Sequence, residues 1–213
     1  MKTALVIGSS GLVGSHLTQQ LLDSPNYQKV IVLNRKACGL HHAKLEERLI
    51  NFDAPQLQGL VANDVYCAIG TTLKKAGSKE AQYKIDCEYP AVLAGLLKQQ
   101  GATQFMLVSS IGANAKSGNF YLRTKGELEG KLSGLGYKTL VIARPSFILG
   151  NRAEFRAGEK IGIVLMKLVS PLLLGGLKKY RGVQASAIAA CLIREALKDM
   201  PGERTIESDR IAR

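Results

Sequence analysis

The sequence predicts an α/β fold: a doubly wound parallel sheet with helices on both faces and a small C-terminal cap on the substrate side. Three observations predict it. Short apolar, β-branched runs alternate with helical patterns along the chain; a glycine-rich turn joins the first run to the first helix; and no repeat, low-complexity tract or Pro/Gly/Ser linker divides the 213 residues. Alternation of this kind builds βαβ units, whose right-handed crossovers place helices on both faces of a parallel sheet.

The strands are expected at residues 3–7, 30–33, 64–68, 104–108 and 139–143, with a further strand ending near Asn51-Phe52. The first helix is read from Leu12, Val13, His16, Leu17, Leu21 and Leu22, and another from Ala91, Leu93, Ala94, Leu96 and Leu97, closed by Gly101. The rhythm changes after Arg144-Pro145. Residues 150–181 hold a basic, Gly-containing segment and then an apolar stretch, read as a cap over the substrate; a helical crossover packed on the sheet is the competing reading. Ser186 opens a helix running to Leu197, and residues 204–207 form a last strand.

With 46% hydrophobic and 22% charged residues, disordered and fibrous classes are excluded. The charge is less ordinary: 29 Lys and Arg against 17 Asp and Glu leave +12, which points towards an anionic partner. Nucleic acid is disfavoured, because no helix-turn-helix, zinc-finger or RNA-binding pattern is present and 6% aromatics without a Trp leave little stacking surface. Membrane insertion is disfavoured too. The apolar stretch 161–177 is interrupted by Lys167 and Pro171 and carries Gly175-Gly176. Cys38, Cys67, Cys87 and Cys191 form no CxxC pair, and the first apolar run is too short for a secretory segment, so a reduced, cytoplasmic setting is expected. His16, His41 and His42 lack acidic or Cys neighbours at ligand spacing, so no metal site is expected.

After the first strand comes Gly8-Ser9-Ser10-Gly11-Leu12-Val13-Gly14. Glycines at this spacing permit a tight turn, let a pyrophosphate approach backbone N–H groups, and pack helix on strand; the helix N-terminus then faces the phosphates. Dinucleotide binding follows from that context. The second strand ends in Leu33-Asn34-Arg35-Lys36, where NAD-specific sites place an acid for the ribose hydroxyls. No carboxylate is available there, whereas Arg35 and Lys36 suit a 2′-phosphate, so NADPH is the expected cofactor. Asp53 is a candidate for the adenine amino group. Small residues in Cys67-Ala68-Ile69-Gly70-Thr71-Thr72 let the fourth strand's end pass close to the cofactor, with Gly70 as the main contact; Cys67 reads as a buried small hydrophobe.

Tyr121 and Lys125 form a Tyr-x-x-x-Lys pair preceded by Ser109-Ser110 at a strand end. Residues four apart on a helix share a face, so the Lys125 ammonium can stabilise an ionised Tyr121. An ordinary phenol, with pKa about 10, is a poor base at neutral pH, and a nearby cation with the positive nicotinamide brings it into range. Ser110, or Ser109, would donate to a substrate carbonyl. The loop 111–120 between them is small and polar.

These residues resemble the atypical short-chain dehydrogenase/reductases, and within them the Tat-interacting oxidoreductase family. The resemblance runs through Gly8–Gly14, Asn34–Lys36, Cys67–Thr72, Ser109–Ala113 and Arg144-Pro145; it is most specific in Asn119-Phe120-Tyr121-Leu122-Arg123-Thr124-Lys125-Gly126-Glu127-Leu128-Glu129. It implies a Rossmann fold binding NADPH, with Ser10, Gly11, Leu12 and Val13 at the pyrophosphate and Arg35 and Lys36 at the adenosine end. By the same resemblance Ile69 and Gly70 line the cofactor, and Tyr121 with Lys125 form the active pair. Asp86 departs from the wider superfamily, many of whose members have an Asn there that helps relay protons. The expected function is NADPH-dependent reduction of a carbonyl substrate, with an NADPH-sensing regulator of little turnover as the alternative. A small-molecule substrate is expected. A protein partner, a homodimer and the role of the basic segment 152–181 are left open.

Overall fold

The computed structural model describes residues 1–150 and 180–211. Seven strands form one parallel sheet: β1 (Lys2–Ile7), β2 (Tyr27–Asn34), β3 (Leu45–Leu49), β4 (Asp64–Cys67), β5 (Gln104–Val108), β6 (Thr139–Arg144) and β9 (Gly202–Glu207). Their order is β3-β2-β1-β4-β5-β6-β9, and every neighbouring pair is parallel. Two short strands, β7 (Ile148–Leu149) and β8 (Val183–Gln184), pair separately. The doubly wound sheet read from the alternation is therefore present. The predicted cap, residues 150–181, falls almost entirely outside the described residues.

Alternate residues of each strand feed opposite faces, the two-residue period of a strand buried on both sides. Ala4 and Val6 of β1 face a core made with Leu17 and Leu21 of helix α1 (Leu12–Asp23) and Ile188 and Leu192 of helix α6 (Ala185–Leu197). Leu5 and Ile7 face the other core, with Leu93 and Leu97 of α4 (Tyr89–Gln99) and Leu128 and Leu132 of α5 (Phe120–Ser133). Between β4 and α4 lie two short helices, α2 (Leu73–Ala76) and α3 (Lys79–Tyr83), and a π-helical turn at Lys84–Glu88. A last turn, α7 (Ser208–Ile211), ends the described chain.

The strand order sets the position of the site. From β1 the chain winds one way through β2 and β3, then crosses to β4 on the other side. The helices leaving β1 and β4 therefore diverge onto opposite faces and leave a crevice beyond the carboxyl ends of those strands, where open α/β sheets take their ligands.

Candidate active site and nucleotide crevice

The floor of the crevice is backbone. Gly8 has φ +89°, a conformation open to glycine, and a Cβ there would lie 2.8 Å from the Ile69 nitrogen and 2.9 Å from the Ala68 carbonyl carbon. A Cβ at Gly14 would overlap the Gly8 carbonyl oxygen. These two glycines let the turn press against both the β4 end and the first turn of α1. No side-chain hydrogen bond caps that helix and no acidic residue stands in its first turn, so none of its own carboxylates competes with an anion there. Ser10 is exposed at the turn, Gly11 and Leu12 are half-buried, and Val13 is core. This chemistry fits the pyrophosphate of a dinucleotide.

At the adenosine end, Arg35 and Lys36 are exposed just beyond β2. Beneath them is a polar relay that the sequence alone does not show. The Ser9 hydroxyl donates to Asn34 Oδ1 at 2.7 Å, Asn34 Nδ2 donates to Glu47 Oε1 at 2.6 Å, and the Cys38 backbone N–H donates to the same oxygen at 2.8 Å. Glu47 comes from β3, thirteen residues on from Asn34, and only strand pairing brings it there. Asp53 lies in the loop after β3, where its Oδ1 accepts from Tyr89 at 2.7 Å and pairs with Lys84 at 2.6 Å.

Past β4, Lys125 of the candidate acid–base pair meets Gly70 and Asp86. A Cβ on Gly70 would sit 3.7 Å from Asp86 Oδ1 and 3.8 Å from Lys125 Nζ, so glycine keeps open the space that these two charged groups border. Lys125 is 3% exposed and Asp86 is fully buried. The π-helical turn turns Asp86 inward, and its Oδ1 accepts from the Thr71 N–H at 2.6 Å. Burial pushes its carboxyl above the ordinary range, opposed by the Lys125 ammonium and the Thr71 N–H. Cys67 is also buried and its thiol is pushed up to about 11 by that burial, so it stays protonated, as a small core residue does.

Helix α5 presents the pair. The Asn119 side chain caps it by accepting from the Leu122 N–H at 3.1 Å, which fixes where the helix begins and sets Tyr121 in its first turn and Lys125 one turn later. Tyr121 is 37% exposed, open to a substrate. A Cβ on Gly126 would overlap the Ala115 nitrogen, so this glycine lets the loop 111–119 lie directly against the helix.

The two serines separate. Ser109 is buried and its hydroxyl donates to Glu129, whose carboxylate also takes Arg144 in two contacts, at 3.1 and 2.5 Å. Among the described residues Ser110 has only a 3.4 Å contact to the Ile111 carbonyl. Ser110 is therefore the hydroxyl available to a ligand, and Arg144 is occupied in holding β6 to α5.

The family model for the NAD dependent epimerase/dehydratase family matches residues 4–127, more than half of the chain and every candidate site residue from Gly8 to Lys125. The chain belongs to that family. It is also 31% identical to the protein fmp52, mitochondrial, of Aspergillus fumigatus, over 95% of this chain and 90% of the relative. To FMP52, mitochondrial, of Candida albicans it is 34% identical, over 94% and 90%. The protein HTATIP2 of Rattus norvegicus is 32% identical over 74% of this chain and 67% of its own, which bears out the resemblance to the Tat-interacting oxidoreductases. Together these make the chain an atypical short-chain dehydrogenase/reductase of NAD(P)-dependent type. Among solved structures, MoeE5 in complex with UDP-glucose and NAD superposes with TM-score 0.72 at 14% identity, covering 96% of this chain and 76% of that one. A UDP-galactose 4-epimerase does so at 0.70 and 13%, covering 96% and 77%. They share the Rossmann fold.

One expectation is corrected. Fungal relatives at 29–34% identity are named mitochondrial, which points away from a plain cytoplasmic location. The lack of a secretory apolar segment and of disulfide spacing does not bear on an organelle address. Among the described residues no helix is long and apolar enough to cross a membrane, and no three His, Cys, Asp or Glu residues cluster as a metal site.

Proposed function

We propose that the protein reduces a carbonyl compound with NADPH. The observation that carries this reading is the convergence at the crevice: Lys125 Nζ is brought beside Gly70 at the end of β4, one helical turn from the exposed Tyr121, while the glycine turn lies against the same strand end. The nicotinamide, when bound, supplies a hydride to the carbonyl carbon. Gly8, Ser10, Gly11, Leu12, Val13 and Gly14 hold the pyrophosphate, with Arg35 and Lys36 at a 2′-phosphate and Ile69 and Gly70 along the middle. Asp53 serves the adenine edge. The Ser110 hydroxyl donates to the carbonyl oxygen and orients it. Tyr121 gives its phenolic proton to that oxygen, and the Lys125 ammonium stabilises the phenolate left behind and reaches the nicotinamide ribose hydroxyls.

The test is NADPH consumption across a panel of aldehydes and ketones. Wild-type protein oxidises NADPH with at least one of them. Tyr121→Phe loses about 10²-fold or more in rate, the usual worth of a positioned general acid, while still binding NADPH. Equal rates for Tyr121→Phe and wild type would contradict the role of the phenol. Tight NADPH binding with no consumption on any substrate would favour the sensing function instead.

A further inference from the structure

We infer that Glu47 sets the balance between NADPH and NADH, by holding the adenosine end of the crevice in place and by opposing a 2′-phosphate with its charge. This inference rests on the dinucleotide reading above and concerns the same crevice, but not the reaction.

The residue at the end of β2 is Asn34, not an acid, and by sequence the site has only Arg35 and Lys36 to offer an adenosine ribose. The fold supplies a carboxylate from the next strand. In parallel register Val32 faces Glu47, and the side chain reaches forward to Asn34 and to the backbone of Cys38. Each bond has a separate consequence. Asn34 is 6% exposed and Ser9 is 5% exposed, so the Ser9–Asn34–Glu47 chain runs from a buried contact at the glycine turn to a half-buried one at β3 and ties both to the β2 end. The Cys38 contact closes the loop that carries Arg35 and Lys36, three residues after the first of them. Glu47 thus orders both the phosphate turn and the two cations.

Its partners are all neutral. Glu46, on the opposite face of the strand, pairs with Lys29 and Arg48, whereas among the described residues no Lys or Arg pairs with Glu47. The Asn34 and Cys38 donors hold its carboxyl below the usual range, so it is ionised at neutral pH. This carboxylate is tied to the backbone of Cys38, in the loop that carries the cations expected to grip a phosphate. A carboxylate accepts well from ribose hydroxyls and repels a phosphate. The site therefore carries a cationic and an anionic determinant together. Its preference for NADPH is smaller than Arg35 and Lys36 alone would give.

The experiment is calorimetric titration of NADPH and NADH, with 2′,5′-ADP and 5′-AMP as probes of the adenosine end alone. The proteins are wild type, Glu47→Gln and Glu47→Ala. Glutamine keeps an acceptor for Asn34 and Cys38 and removes the charge. Glu47→Gln is expected to bind NADPH and 2′,5′-ADP about threefold to tenfold more tightly, with NADH and 5′-AMP changed less than about twofold. Glu47→Ala loses the acceptor as well as the charge, so NADH and 5′-AMP weaken, while NADPH and 2′,5′-ADP weaken less because the repulsion is gone too. An unchanged NADPH-to-NADH ratio in Glu47→Gln overturns the charge role. Unchanged NADH and 5′-AMP affinities in Glu47→Ala overturn the positioning role. If wild-type protein binds neither dinucleotide, the cofactor reading itself falls and the inference falls with it; wild-type binding with an unaltered Gln ratio sinks the inference alone.

Discussion

Asp86 is a buried acid beside a buried base, and its cost depends on pH. Its folded carboxyl is raised because burial outweighs the Lys125 ammonium, the Thr71 N–H and Gln82. A raised carboxyl contributes its full stability below the unfolded value, about 4, and loses it as pH rises through the folded value. Asp86→Asn does not ionise and keeps an oxygen for Thr71. The melting temperature of the variant minus that of wild type should therefore grow between about pH 4 and pH 7, by about 2–4 °C for each kcal/mol of relieved penalty. A difference that is flat with pH, read by thermal denaturation across that range, would contradict the account of Asp86. Asp64 is also raised by burial, but it is present in both proteins and cancels from the difference. At this scale the sequence was informative where chemistry is local. The Tyr121–Lys125 spacing and the glycine turn need only neighbours along the chain. Glu47 and the Ser109–Glu129–Arg144 cluster were not legible, because their partners meet only through strand pairing or helix packing.

Among the elements, α1 and α5 are placed by glycines that admit backbone where a side chain would collide. Gly14→Ala and Gly126→Ala should each destabilise by about 1–3 kcal/mol, the usual cost of overpacking, seen as a lower denaturant midpoint. Gly70→Ala brings a Cβ only into ordinary contact distance of Asp86 and Lys125, so stability should change by less than about 0.5 kcal/mol while NADPH affinity falls. A Gly70→Ala protein as unstable as Gly14→Ala would show that Gly70 serves packing and not the crevice. The strands at residues 3–7, 104–108 and 139–143 were readable from β-branched runs bounded by turns, and the structure extends the first and the last of these by one residue each. The π-helical turn at Lys84–Glu88 was not, since it lies within a continuous helical stretch where Pro90 signals a break but not the kind of turn that accommodates it. The β7–β8 pair, two residues in each strand, is likewise too short to leave a pattern.

For the whole molecule, alternating strands and helices predicted the doubly wound sheet, and the order β3-β2-β1-β4-β5-β6-β9 locates the crevice between the diverging halves. Strand order is not written in local periodicity. What made the crevice legible was the glycine turn after β1, because a fold of this class puts its ligand at that switch point. Net charge was the least specific signal. It pointed to an anion, and among the described residues Arg35 and Lys36 stand exposed just beyond β2, whereas Lys138 is neutralised by Asp199. The central claim is that this crevice binds NADPH. Thermal denaturation of the purified protein with and without NADPH tests it most directly. At a ligand concentration about 100-fold above Kd, linkage stabilises the folded state by about 2.7 kcal/mol. For a chain of this size that is a rise of about 5–10 °C, and a melting temperature unmoved by millimolar NADPH would contradict the account.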